Sequence, residues 1–210
     1  MTPRPGAFEV LYFWFGARPY TALQVQQHTR LWFGESGSPE LTPQTDELVR
    51  ERFGDLTQQA ADGKLGSWES GPRRRLALIL LLDQFPRNIF RGSVRAFAYD
   101  EKALALALSG MQSAADAALS VVERIFFYMP LQHAESREVQ DESVAAYRRL
   151  RQEAPEELQA VFDAALRSAE NHRAIVEEFG RFPHRNELLE RTSTAAEVEW
   201  LRKGGATFAQ

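Results

Sequence analysis

The chain of 210 residues contains no cysteine. This absence excludes disulfide bonds, thiol catalysis and thiolate metal sites, and it fits a reducing cytoplasm. Long apolar runs are missing too, because the longest, Leu76 to Leu82, is far below the roughly 20 residues that span a bilayer. Residues 1–6 lack the apolar core of a signal peptide. We therefore expect a soluble, cytoplasmic protein.

Positive charge is not in excess, since 25 basic residues face 29 acidic ones for a net charge of −4. General attraction to nucleic acid is therefore not expected. Glycine-rich phosphate loops and the Gly-x-Ser-x-Gly nucleophile motif are also absent. No motif implies a cofactor. Arginine is nevertheless concentrated between Arg73 and Arg95, and we interpret the triplet Arg73 to Arg75 as a solvated basic face.

Sustained two-residue alternation, the mark of a half-buried β-strand, does not occur, whereas apolar residues recur at helical spacing. Caps and breakers predict helices over residues 8–15, 45–63, 72–84, 101–109, 117–128, 136–152, 155–179 and 194–200. Residues 17–45 are predicted as a long loop with a short helical turn around 23–29, in which Trp32 could cover a cleft. Gly110 is expected to end one helix. The sequence predicts a single all-α domain over residues 1–210, an irregular array of antiparallel helix pairs with eight or nine helices.

Two segments of the chain carry nearly the same polar motif. Gln84-Phe85-Pro86-Arg87-Asn88 is echoed by Arg181-Phe182-Pro183-His184-Arg185-Asn186. Because proline lacks an amide hydrogen and disfavours helix in the preceding residue, we expect a helix to stop at each Phe-Pro pair. The arginine and asparagine side chains would then lie at helix ends, where they can bind carbonyl groups or an anionic ligand.

From this pattern we predict that the two Phe-Pro-Arg-Asn blocks lie close together and line a binding site. The ligand-binding candidates are Gln84, Arg87, Asn88, Arg91, Arg181, His184, Arg185 and Asn186. For Arg87 and Arg91, capping of carbonyl groups and binding of an anion are equally supported. In a purely structural alternative, Asp83 pairs with an arginine of the other block and the blocks lock the two halves of the chain together.

Three blocks are long and specific: Leu82-Asp83-Gln84-Phe85-Pro86-Arg87-Asn88 with Arg91-Gly92, Tyr128-Met129-Pro130-Leu131-Gln132-His133-Ala134-Glu135, and Phe179-Gly180-Arg181-Phe182-Pro183-His184-Arg185-Asn186. They resemble the signature blocks of the bacterial family labelled domain of unknown function 924, and residues 10–16 and 31–34 are similar as well. The resemblance implies a fold similar to tetratricopeptide-repeat-like helical proteins without regular repeats, and it implies no activity. The family usually has serine where Ala134 stands, so any role of that hydroxyl is absent here.

A general acid/base set of His133, Glu135 and Asp83 is the catalytic hypothesis, since a neutral histidine near a carboxylate is ready for proton transfer. The competing interpretation is that the histidines make ordinary hydrogen bonds at helix ends. On a regular helix, His133 and Glu135 would point about 200° apart. A metal needs three or more convergent ligands, so we predict no tightly bound transition metal.

Two functions fit this sequence. The first is a small-molecule site, enzymatic or not, with a ligand that could be anionic, lined by the two blocks and the His133/Glu135 segment. The second is a helical scaffold that binds a peptide or partner protein in a groove. The sequence does not fix the oligomeric state or the ligand.

Overall fold

The computed structural model describes residues 6–33 and 43–206 of the chain. These residues form eleven α-helices and no β-strand, so the all-α prediction is confirmed. Nine of the helices are seven residues or longer, which matches the predicted number, and two are short. The helices are α1 Ala7–Phe15, α2 Ala22–Phe33, α3 Pro43–Ala61, α4 Pro72–Leu82, α5 Gln84–Ile89, α6 Asp100–Gln112, α7 Val121–Phe127, α8 Met129–Gln132, α9 Arg137–Glu153, α10 Gln159–Phe179 and α11 Ala195–Arg202. Five 3-10 turns join them, at Gly66–Ser70, Val94–Phe97, Asp116–Ala118, Glu156–Leu158 and Pro183–Arg185.

Helix α4 runs through the centre of the fold. Every residue from Leu76 to Leu82 is buried, as predicted from a helix that is apolar on all sides. Pro72 lies in the first helical turn, where no amide hydrogen is needed. Helices α1, α3, α6 and α7 all pack against α4. The core is therefore built around one helix, whose carboxyl end leads directly to the first Phe-Pro block.

Aromatic side chains fill the space between α1 and its neighbours. The ring of Trp14 lies 5.5 Å from the ring of Phe85 and 5.5 Å from that of Phe126. Trp32 packs against Phe126 at 4.8 Å and donates a hydrogen bond to the Trp14 carbonyl at 2.7 Å. Trp14, Phe85, Phe126 and Trp32 are thus core residues.

Residues 17–33 differ from the predicted loop. Instead of a short turn, they contain α2, a helix of 12 residues. Trp32, expected in a loop over a cleft, is a buried residue of this helix. The glycine and serine residues that suggested the loop begin at Gly34, and residues 34–42 lie outside the described part. Helix α3 begins at Pro43, so Thr45 lies inside the helix and does not cap it.

The carboxyl-terminal half follows its capping signals closely. Ser136 accepts a hydrogen bond from the Val139 amide and caps α9, and Thr194 forms a capping box with Glu197 at the start of the predicted last helix. Helix α10 ends at Gly180, which adopts the left-handed conformation that favours glycine. Helices α9 and α10 pack along one another. Each of the two helices buries one apolar face, as the helical spacing of its apolar residues predicts.

Gly110 does not end α6, contrary to the prediction, but lies buried inside it. A Cβ atom at this position would lie 2.5 Å from Cζ of Phe127 and 3.0 Å from Cδ of Arg75. The glycine is therefore needed because the side chains of Phe127 and Arg75 pack directly against α6 at this position, and not for a helix stop.

We expect Gly110→Ala to lower the free energy of unfolding by about 1–3 kcal/mol, because the core must shift to admit the methyl group. Gly54→Ala in α3 is the matched control, since a Cβ there meets nothing within 4 Å. That variant is expected to gain up to about 1 kcal/mol from helix propensity. Urea unfolding of the two proteins measures the contrast. Equal changes in both variants would contradict tight packing at Gly110.

Candidate functional site

The two Phe-Pro blocks do not end helices in the way the sequence suggested. Helix α4 stops at Leu82, one turn residue follows, and Pro86 lies in the first turn of the new helix α5. Proline is tolerated there because the first amides of a helix have no internal partner. In the second block the preceding helix ends at Gly180, and Pro183 opens a 3-10 turn. Arg87 therefore projects from a helix and Arg185 from a turn.

Asp100, the first residue of α6, joins the two blocks. Arg87 donates two hydrogen bonds to its carboxylate, from Nη1 and Nη2, each 2.9 Å long. Arg185 approaches the same carboxylate through Nη1 at 3.5 Å. The two blocks are therefore neighbours in space, and the residue that connects them was not among the predicted ones.

Asp83 and His133 form a hydrogen-bonded pair beside this junction. The distance from His133 Nδ1 to Asp83 Oδ1 is 2.6 Å, and Asp83 is completely buried. Gln84 Nε2 donates to the other carboxylate oxygen at 2.5 Å, and Arg87 Nη1 donates to the Asp83 carbonyl at 2.6 Å. Four of the predicted residues thus meet within one small cluster.

The position of His133 follows from local hydrogen bonding at the end of α8. This helix has only four residues, and its last carbonyl groups need partners from elsewhere. The buried Gln140 of α9 supplies them, since its Nε2 donates to the carbonyls of Leu131, Gln132 and Ala134. One amide side chain therefore fixes the turn from which His133 reaches Asp83.

Electrostatics set the protonation of the pair. Burial, followed by the positive charge of Arg87, lowers the pKa of His133 below its usual value. Burial alone would raise the pKa of Asp83, but His133 and Arg87 outweigh it and hold that pKa below the usual range. At neutral pH the pair is therefore an ionised Asp83 and a neutral His133 that donates its Nδ1 proton.

Arg185 is held in an unusual environment for a cation. Its guanidinium carbon lies 4.7 Å from the ring centre of Phe97 and 4.6 Å from that of Phe182. Nη1 donates to the His133 carbonyl at 3.2 Å. Burial and the nearby charge of Arg87 lower the pKa of Arg185 to about 10, so the side chain stays charged at neutral pH. The stacked rings stabilise it through cation–π contact.

The remaining candidates of the first block serve a different contact. Arg91 binds Asp46 of α3 through Nε at 2.6 Å and Nη2 at 2.9 Å. Asn88 donates to the same carboxylate at 2.8 Å and is buried. Asn88 in α5 and Arg91 just after it thus attach this segment to α3. Their partner, Asp46, was not predicted from the sequence.

The remaining candidates of the second block likewise bind their own neighbourhood. Arg181 donates two hydrogen bonds to Glu197 of α11, at 2.6 and 2.8 Å. These bonds lower the pKa of Glu197 to about 2. Asn186 donates to Ser193 Oγ at 3.0 Å. The His184 ring lies 5.7 Å from that of Phe182, so it packs beside the ring under Arg185.

Glu135 does not join the Asp83–His133 pair. Its carboxylate accepts two hydrogen bonds from Arg191, at 2.6 and 3.0 Å, and one from the Phe182 amide at 2.8 Å. Burial would raise the pKa of Glu135, but these donors lower it below the usual value. Glu135 therefore fixes the start of the second block, and the acid/base geometry is limited to Asp83 and His133.

Within the described ranges, no group of three or more His, Asp and Glu side chains is arranged to hold a metal ion. A cleft of about 420 Å³ lies elsewhere, along α4 and α6. Its walls are largely apolar and include Leu65, Leu78, Leu82 and Leu106, with Lys102 beside them. None of the predicted site residues lines this cleft.

No helix in the described part of the chain is long and apolar enough to cross a membrane.

A family model described as bacterial protein of unknown function (DUF924) matches residues 10–205. A solved structure of a protein of unknown function from Agrobacterium tumefaciens is 35% identical, with a TM-score of 0.77, and the match covers 94% of this chain and 97% of that one. No curated protein matches the chain. The chain belongs to the DUF924 family of bacterial proteins of unknown function.

Proposed function

We propose that this member of the DUF924 family binds a small polar molecule at the junction of its two Phe-Pro blocks, and that His133 acts there as a general base. The observation that carries the proposal is the 2.6 Å hydrogen bond from His133 Nδ1 to the wholly buried Asp83. Such a carboxylate fixes the tautomer of the imidazole and leaves the lone pair on Nε2. Within the described residues, no hydrogen bond engages Nε2 of His133.

The protonation state supports the same role. Because burial and Arg87 lower the pKa of His133, the ring is neutral at pH 7 and can accept a proton. A proton taken up at Nε2 would be stabilised by the negative charge of Asp83, with which the ring already shares a hydrogen bond. The pair therefore has the arrangement of a base and its orienting carboxylate.

The charges around the pair limit the ligand. Asp83 and Asp100 carry two negative charges, and Arg87 and Arg185 carry two positive ones, so the cluster is balanced. An anionic group would have to compete with Asp100 for an arginine. The long 3.5 Å approach of Arg185 to Asp100 makes Arg185 the cation that such a group would take. A neutral or singly charged polar molecule fits best.

The test uses a mixture of small polar metabolites incubated with the protein in D2O and followed by proton NMR. A base acting on a substrate reveals itself by turnover or by exchange of a substrate proton for deuterium. We expect His133→Asn to abolish the reaction, because the asparagine amide can still donate to Asp83 but offers no base at the Nε2 position. His28→Asn on α2 is the matched control and should react like the wild type. A bound compound that reacts equally in His133→Asn protein would contradict the proposal.

One observation favours the alternative of a helical scaffold. The apolar cleft along α4 and α6, with its leucine walls, could hold an apolar side chain of a peptide or partner protein. Ala105 lines this cleft and is exposed. If the scaffold function holds, Ala105→Trp should block partner binding while leaving the reaction at His133 unchanged. Peptide binding that survives this filling of the cleft would contradict the alternative.

A further inference from the structure

A second polar cluster, independent of the proposed site, is built around Glu123 of α7. The Glu123 side chain has no exposed surface. Its carboxylate accepts hydrogen bonds from Arg18 Nη2 at 2.5 Å, the Tyr20 hydroxyl at 3.0 Å and Arg73 Nε at 3.0 Å. The backbone amide of Ser120 adds a fourth donor at 3.0 Å. One carboxylate thus fixes two arginines from distant parts of the sequence.

The two arginines differ from Arg87 and Arg185 because a larger part of each side chain reaches the surface. Arg18 is 40% exposed and Arg73 is 38% exposed, although both touch a carboxylate with no exposure at all. Each guanidinium has five N–H bonds, and each uses one nitrogen atom to contact Glu123. Within the described ranges, no other hydrogen bond from either guanidinium is found. The remaining N–H groups are therefore available at the surface, and the buried Glu123 carboxylate fixes their orientation.

The charge of this cluster is not balanced. Two arginines face the single negative charge of Glu123. Helix α4 begins at the same place, and its first turn contains no acidic residue and carries Arg74 beside Arg73. Arg74 is exposed and lies along Gly71, the residue before the helix. The positive end of the helix dipole adds to this excess. Burial, followed by the charge of Glu123, raises the pKa of Tyr20 to about 12, so Tyr20 remains a neutral donor.

We infer that Arg18 and Arg73 form an anion-binding site that takes a phosphate group. Planar guanidinium groups with fixed orientation match phosphate oxygens better than flexible ammonium groups do, because each can donate two parallel hydrogen bonds. Glu123 acts as the anchor that holds the two donors in place. The phosphate can be inorganic phosphate or part of a small phosphorylated molecule, and the chemistry of recognition is the same.

The experiment is a titration of 15N-labelled protein with inorganic phosphate, followed by amide chemical shifts and compared with sodium chloride at equal ionic strength. We expect saturable shifts confined to residues around 18–24, 71–75 and 120–123. Arg18→Gln and Arg73→Gln should each weaken phosphate binding at least tenfold. Arg202→Gln, whose guanidinium pairs with Glu199 on exposed α11, is the charge-matched control and should bind like the wild type. A parallel titration with glycerol 3-phosphate distinguishes the sources, because a phosphorylated ligand should bind more tightly than phosphate if it is the one recognised.

The inference is overturned if phosphate and chloride produce the same shifts, or if both arginine variants bind phosphate as the wild type does. The shift map of the wild-type protein needs no variant, so the result stands even if a variant folds poorly. Phosphate shifts located at Arg87 and Arg185 would also overturn it, and would assign the anion to the other site.

Discussion

Arg87→Met is expected to lower the free energy of unfolding by about 3–5 kcal/mol, as typical when one partner of a buried ion pair is removed. Arg87 is only 11% exposed, and its guanidinium contacts both Asp83 and Asp100. Its loss leaves the buried carboxylate of Asp83 without its nearest permanent cation. Methionine keeps the apolar stem of the arginine side chain and removes the guanidinium, so the expected loss is mainly that of the charge and its hydrogen bonds.

Arg148→Met is the matched control for this experiment. Arg148 also pairs with a carboxylate, Glu170, at 3.0 Å, but the two side chains are 61% and 44% exposed. An exposed pair of this kind contributes little, and we expect a change within about 0.5 kcal/mol. Chemical denaturation of both variants at pH 7 gives the comparison. A loss within about 1 kcal/mol for Arg87→Met would instead indicate that the arginine serves a ligand and not the fold.

The local signals of the sequence predicted most of the helical architecture. Thr194 and Gly180 mark helix ends that the sequence predicted, because each satisfies backbone groups of its own helix. Such signals depend on residues within one turn of one another. They need no knowledge of the tertiary fold.

Long-range packing explains the errors. Glycine often ends a helix, but Gly110 lies inside α6, where its small size is required because the Phe127 side chain of another helix packs against it. Trp32 follows a polar stretch of low apolar content, and its core contacts, among them those with Phe126 and Trp14, help to explain why α2 forms there. Phe127 is distant in sequence from Gly110, and Phe126 and Trp14 are distant from Trp32. Helical periodicity alone could therefore not predict these contacts.

The candidate site was predicted in part for the same reason. The repeated blocks drew attention to Arg87 and Arg185, and the structure places both on one carboxylate, Asp100. From the sequence Asp100 resembled an ordinary cap of the next helix, but it is the first residue of α6. Glu197 was expected only in the capping box of Thr194, and Asp46 gave no signal. The two motifs also have unequal contacts, since Asn88 donates to Asp46 whereas Asn186 donates to Ser193. Sequence identified the cations, and their partners became visible only in the fold.

Acid conditions should destabilise the protein strongly, starting near pH 6.5. His133 and His172 are both buried, and burial is the main cause that lowers the pKa of each, with Arg87 acting next on His133 and His133 acting next on His172. In the unfolded chain both side chains take up a proton as the pH falls below about 6.5. In the folded protein they stay neutral to lower pH. Stability is therefore fully present above pH 6.5 and is lost as the pH falls below it.

The slope of the free energy of unfolding against pH follows from the number of protons that only the unfolded chain binds. Each histidine that is protonated only in the unfolded state contributes up to about 1.4 kcal/mol per pH unit, so the pair gives up to about 2.8 kcal/mol per pH unit. Below about pH 4 the carboxylates of Asp83, Glu135 and Glu197 add a further loss in the same direction, because their pKa values are also lowered in the fold.

Urea unfolding at several values between pH 7.5 and 5 measures the histidine contribution. His172→Asn keeps a donor for the Ser168 carbonyl, which lies 2.8 Å from His172 Nδ1, but removes one titrating group. We expect this variant to reduce the slope by about half, and the double variant with His133→Asn to remove most of it. A wild-type stability that stays constant from pH 7.5 to 5 would show that these histidines take up protons in the fold at the same pH as in the unfolded chain, so that neither pKa is lowered. That result would also contradict the lowered pKa that supports His133 as a neutral base.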